Sequence, residues 1–143
     1  MACVGHAALD HVFEIDAFAA EPTKTIARAY ATRAGGMSLH AAISASRLGA
    51  RVRMLGRVGE DNNADFLRAR LVAEGVEARG LESVSGTQTS LATVVVDAQG
   101  ARQIYIHRGD AIERAHALDT RQLEGADVVL ADQPVGAFLV RNR

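Results

Sequence analysis

The sequence predicts an α/β layer fold built on a parallel sheet, its rhythm interrupted by a β-hairpin. Three observations point there. Apolar, strand-like runs alternate with two helix-like stretches over residues 2–74, and parallel strands need such helical crossovers. Each helix-like stretch opens on a capping residue and closes at a glycine. From residue 89 the rhythm breaks into two runs rich in Thr, Val and Ile, which read as a β-hairpin.

Ala2-Cys3-Val4-Gly5 reads as a short buried first strand, with a sharp change of direction at Gly5. Leu9 to Phe18 continues as a second extended segment with partial alternation. Glu21-Pro22-Thr23 marks a turn, and Lys24 to Arg33 alternates weakly, as either strand or loop with strand favoured, before Gly35-Gly36. Ser38 is placed to cap a helix running to Leu48, with Gly49 as its stop. Val52 to Val58 reads as a buried strand. Asp61 is a good N-cap for a helix over Asn62 to Glu74, where Ala64, Leu67 and Leu71 share one face and Gly75 ends it. Thr89 to Asp97 and Arg102 to His107, joined by Ala98-Gln99-Gly100, read as a β-hairpin. Ala126 to Ala131 is a last candidate for a short buried strand, followed by Pro134.

Composition bounds the partners. A chain of 143 residues with 48% hydrophobic content and formal net charge -1 has room for one domain with a real core, and its mixed charge offers nothing to a nucleic-acid backbone. Its single cysteine, Cys3, lies in an apolar run and reads as a buried thiol suited to a reducing compartment. The first residues lack a basic region, and His6 and Asp10 interrupt their apolar stretch. No signal peptide or membrane span is therefore expected, and the cytoplasm is the expected location.

The densest pattern lies at residues 35–61: Gly35-Gly36, a spacer to His40, a small-residue helix closing in Arg47-Leu48-Gly49-Ala50, then Gly56-Arg57-Val58-Gly59-Glu60-Asp61. A glycine pair lets backbone approach a ligand closely. The pattern resembles the first signature of the PfkB/ribokinase family of sugar kinases, and the resemblance extends with gaps from about Cys3 to Asp132. It implies a ribokinase-like three-layer fold, here partial, with a small β-sheet lid formed from about 9–33 and 89–107 within a single incomplete domain over 1–143. It also implies that Asp10 binds sugar hydroxyls, as a carboxylate accepting two hydrogen bonds can, and that the bare backbone of Gly35 and Gly36 lies against the sugar. His40 stands where family members usually carry an Asn, so the paired donor and acceptor of an amide are replaced by an imidazole. The Gly56 to Asp61 block is read as architectural.

For the complete family enzyme the resemblance implies ATP and Mg. The helix-terminal anion hole and the Asp that takes the sugar proton belong to a portion with no counterpart here, so no catalytic residue is assigned and ATP is not expected to bind well to this chain alone. Arg108-Gly109-Asp110-Ala111 is not that anion hole: it lacks the first glycine and sits at the end of the hairpin. The five histidines show no paired zinc-ligand spacing, and neither a Walker A nor a Gly-x-Ser-x-Gly motif is present. The expected function is the sugar-binding and lid portion of an ATP-dependent carbohydrate kinase, inactive alone. The alternatives are a non-catalytic carbohydrate-binding or dimerisation module and, within the family, a nucleoside kinase. The expected partners are a small sugar and a second copy of the chain, through the lid or an exposed sheet edge.

Overall fold

A computed structural model of the chain describes residues 1–109 and 119–132. Among these, strands β1 (Ala2–Val4), β4 (Arg53–Gly59), β5 (Glu77–Val84) and β8 (Val129–Ala131) form one sheet in the order β5-β4-β1-β8, all parallel. Strands β2 (Ala8–Glu14), β3 (Ala29–Gly35), β6 (Leu91–Val96) and β7 (Arg102–His107) form a second sheet in the order β3-β2-β6-β7. This sheet is mixed: β2 and β6 run parallel, and the two outer pairings are antiparallel. Helices α1 (Met37–Arg47) and α2 (Asn62–Ala73) supply the crossovers.

The chain passes between the sheets at Gly5. β1 ends at Val4 and β2 begins at Ala8, so the turn at Gly5 expected from the sequence is the junction of the two sheets. The main core gathers Leu9 of the second sheet, Cys3, Met54, Val58 and Leu81 of the first, and Leu39, Leu67 and Leu71 of the helices. Cys3 is fully buried, and burial raises its thiol pKa above the ordinary value, so it behaves as a small apolar side chain.

Helix α2 forms as the sequence predicts. The Asp61 carboxylate accepts from the Ala64 N–H at 2.9 Å, Ala64, Leu67 and Leu71 are fully buried, and Gly75 follows the C-cap with φ +74°. Asp61 also reaches across to the start of the second sheet, accepting from the Thr89 N–H at 2.8 Å and the Thr89 hydroxyl at 2.7 Å. Partial burial pushes this carboxyl up, but the hydrogen bonds from Thr89, Ala64 and Asn63 outweigh it and hold the group below its ordinary value.

Three expectations need correction. Ser38 does not cap α1: Gly36 is the N-cap, Ser38 lies inside the first turn, fully buried, and its hydroxyl is spent on tertiary contacts. Ala126 to Ala131 is not read as one buried strand: only Val129–Ala131 pairs, it is the outermost strand of the sheet among the described residues, and Val128, Val129 and Leu130 are exposed. Strand β5 was not anticipated, since Glu77, Arg79 and Glu82 disguise its buried residues Ala78 and Leu81. The extended segments are shorter than read: Leu9 to Phe18 narrows to Ala8–Glu14, and Lys24 to Arg33 to Ala29–Gly35. The hairpin of β6 and β7 forms as expected.

The dual role of Asp61 yields a prediction. Asp61→Ala removes both the cap and the tie to Thr89, and should cost about 1–2 kcal/mol in urea denaturation at pH 7. Because the folded-state pKa is depressed, this contribution is present above the ordinary Asp value and fades as pH falls through the lowered one. The gap between wild type and variant should therefore shrink in strong acid; a gap that stays constant with pH would contradict the assignment.

Candidate functional site

The parallel sheet, the junction at Gly5 and the start of α1 converge on one polar centre. Asp132 directly follows β8, and its backbone N–H bonds the Val4 carbonyl at 3.2 Å, so the carboxylate is delivered to the C-terminal end of β1. That side chain is buried. Its Oδ2 accepts from the His6 backbone N–H at 2.8 Å and from the Ser38 hydroxyl at 2.9 Å, and the same hydroxyl also lies 2.9 Å from the Val4 carbonyl. A hydroxyl has one proton, so the two acceptors share it. Oδ1 rests against the bare Cα of Gly5, where any Cβ would overlap the carboxylate, and it has no hydrogen-bond partner among the described residues.

Of the residues that the sequence singled out, Asp10 and Gly35 meet directly. Asp10 sits on β2 opposite Arg33, and its carboxylate occupies the space that a Cβ on Gly35 would fill. Gly36 has φ +99° and lies against the His6 carbonyl and the Ala7 Cα, so both its backbone angle and its packing exclude a side chain. His40 is exposed in the first turn of α1, close enough for its charge to act on Asp10. The structure thus draws Asp10, Gly35, Gly36 and His40 around the β1–β2 junction.

Electrostatics separates the members of this cluster. Burial raises the pKa of Asp10, opposed by the nearby imidazoles of His40, His6 and His11 when these are protonated. For His6, burial lowers the pKa; the carboxylates of Asp132 and Asp10 oppose that shift and Arg108 adds to it, so the ring is neutral at pH 7. His6 Nε2 is buried and has no hydrogen-bond partner among the described residues.

The residues that sequence reasoning passed over are His6, Ser38 as a buried donor, and Asp132. The signal for Asp132 was its place just after an apolar run in a parallel-sheet pattern, where the carboxyl ends of strands collect polar ligands. For Ser38 there was none, because capping explained it equally well. Gly109 closes the hairpin side: its N–H donates to the Ser90 hydroxyl at 3.1 Å and its Cα is packed on the Gln88 carbonyl, a structural role. Asp110 and Ala111, and the residues after Asp132, lie outside the described residues.

Residues 1–138 match the sequence profile of the pfkB family carbohydrate kinases. The chain belongs to that family. It is 32% identical over 135 residues to a ribokinase of Bacillus subtilis (strain 168), a match covering 92% of this chain and 46% of the ribokinase. Among solved structures it resembles a putative ribokinase from Agrobacterium tumefaciens, with TM-score 0.84 and 27% identity, over 92% of this chain and 43% of that one. It also resembles Arabidopsis thaliana ribokinase complexed with ribose and ATP, with TM-score 0.78 and 26% identity, over 93% and 45% of the two chains. The fold is therefore ribokinase-like, and the chain spans less than half the length of these three relatives, corresponding to their N-terminal portion.

The family implies ATP and Mg for its full-length enzymes. Of the two helices among the described residues, α2 has its N-terminus occupied by its own Asp61 carboxylate, which takes the Ala64 N–H that an anion would otherwise meet. No three His, Cys, Asp or Glu side chains among the described residues converge on a metal position.

The buried Ser38 hydroxyl supports a direct test. Ser38→Ala leaves the Asp132 carboxylate with a lost donor in a buried setting, which should cost about 1–3 kcal/mol in chemical denaturation. A variant as stable as wild type would mean that Ser38 does not hold this junction together.

Proposed function

We propose that this chain supplies the sugar-binding wall and the β-sheet lid of an ATP-dependent carbohydrate kinase that phosphorylates a hydroxyl of a small sugar. The observation that carries this is the packing of the Asp10 carboxylate on Gly35 beside Gly36. It presents an acceptor-only group over bare backbone, the surface a polyol needs for close approach and two hydroxyl hydrogen bonds. The second sheet, β3-β2-β6-β7, is the lid in this reading, with Asp10 on its second strand. A lid serves a kinase by excluding water from the transferring phosphoryl group.

In this reading the 143 residues alone carry out no phosphoryl transfer. Support comes from α2, whose N-terminal Ala64 N–H is taken by the Asp61 carboxylate and so is not offered to nucleotide phosphates. A neutral His6 and a partly buried Asp10 suit binding of an uncharged polyol, and the buried free thiol of Cys3 suits a reducing, cytoplasmic setting.

A dimerisation role for the same sheet rests on a separate observation. All six residues of β7 are exposed, including Ile104, Tyr105 and Ile106, on a strand whose outer edge has no partner among the described residues. A second copy pairing there would cover both the edge and the apolar side chains. Sedimentation at micromolar concentration should give a dimer or larger species, and a clean monomer would remove this part of the reading.

Binding is the deciding experiment. Calorimetric titration with ribose and related small sugars, without ATP, should show saturable binding that Asp10→Ala weakens by about tenfold to a hundredfold, the worth of hydrogen bonds to a charged group. Affinity should also fall on acidification at a pH above the ordinary Asp value, because burial raises the Asp10 pKa and its proton competes with the sugar. Sugar binding indifferent to Asp10→Ala would overturn the assignment, and sugar-dependent ADP production by the purified chain would overturn its predicted inactivity.

A further inference from the structure

Beside strand β3, where the second sheet meets α1 and α2, lies a groove of about 380 Å³ that shares only His40 with the residues of the sugar-binding reading. Three arginines line it, Arg33 from β3, Arg47 from α1 and Arg70 from α2, together with His40, Ser44 and Phe66. No Asp or Glu lines it.

The charge balance decides what the groove can hold. Arg47 donates through Nε and Nη2 to both oxygens of Glu74 at 2.7 Å, and Arg70 donates to the same carboxylate. One carboxylate thus serves two guanidinium groups. Arg33 stands opposite Asp10 in the strand ladder, yet no ion pair or hydrogen bond engages its guanidinium among the described residues. Three arginines and one glutamate leave an excess of two positive charges, with five N–H donors on Arg33 alone uncommitted. A guanidinium fork matches the paired oxygens of a phosphate, and a neighbouring hydroxyl adds a further donor.

We propose that this groove is a binding site for a phosphate-class oxyanion, with Arg33 as its principal contact and Arg70, Arg47 and Ser44 completing it. His40 joins the two regions: it lines the groove, and its charge, when it is protonated, acts on the Asp10 carboxyl. An anion there offsets the cationic field that helps Asp10 stay ionised, so the groove and the sugar wall are electrostatically linked.

The test uses inorganic phosphate as the probe, in calorimetric titration of the wild-type chain at low ionic strength, where exposed charges are least screened. The expected result is saturation at one phosphate per chain, weakened about tenfold or more by Arg33→Gln and by Arg70→Gln. Arg102→Gln, on the exposed strand β7 and absent from the groove lining, should leave the affinity unchanged. No saturation, or an equal loss in Arg102→Gln, would overturn the proposal and reduce the groove to a diffuse positive surface. Repeating the titration with a phosphorylated pentose and with Asp10→Ala identifies the source of the anion. Loss of the pentose phosphate but not of phosphate means that the anion is carried by the molecule Asp10 holds; no loss of either means a free anion. Both results uphold the groove. Arg33-dependent phosphate binding would stand even if no neutral sugar bound, so the failure of the sugar-wall reading and the failure of this one are separable.

Discussion

The carboxylate of Asp132 holds the architecture at the point where its parts meet. It takes the His6 amide at the junction between sheets and the Ser38 hydroxyl at the start of α1, while its own amide pairs with Val4. A buried carboxylate is costly unless hydrogen-bonded, so these donors are a requirement of its burial. They fix the β1–β2 turn, the first turn of α1 and the end of β8 relative to one another. Gly5 permits this only because it lacks a Cβ, and Gly36 allows α1 to approach the His6 carbonyl for the same reason.

Everything proposed for the site is positioned by that junction. Asp10 lies four residues beyond His6, on a strand whose direction the junction sets, and Gly35 ends the neighbouring strand just before α1 begins. Asp61 performs a parallel service on the far side, where one carboxylate caps α2 and ties down Thr89 ahead of β6. Two carboxylates thus join the second sheet to the parallel one. The Asp132 junction sets where β2 starts, and Asp61 sets where β6 starts, and these two strands lie side by side. The outer strand β7 has no such attachment and is exposed throughout.

The electrostatic character of the two neighbouring regions differs in a way that composition conceals. A formal net charge of -1 gives no hint of a groove with excess positive charge, because its arginines are spread over residues 33–70 and come together only when β3 packs beside both helices. Around Asp10 the balance is subtler. Burial and three histidines pull its titration in opposite directions, and burial prevails.

The sequence by itself determined the elements whose cause is local. Helix α2 was legible because Asp61, the apolar face and Gly75 act within one stretch of chain, and the hairpin of β6 and β7 because β-branched runs flank a short polar turn. The glycine pair and Asp10 were legible as a pattern, and the family match over residues 1–138 is consistent with it. Tertiary structure alone decided the rest. Strand β5 is specified by the neighbour it pairs with, despite its charged residues. Ser38 turned from a cap into a buried donor because Asp132, 94 residues away, came to lie beside it. Val129–Ala131 stayed exposed because burial belongs to a position in a sheet, and an apolar run does not reveal whether its strand is central or at the edge. The physical reason is common to all three: local propensity is encoded by adjacent residues, whereas burial and partner choice depend on groups that only the folded chain brings together.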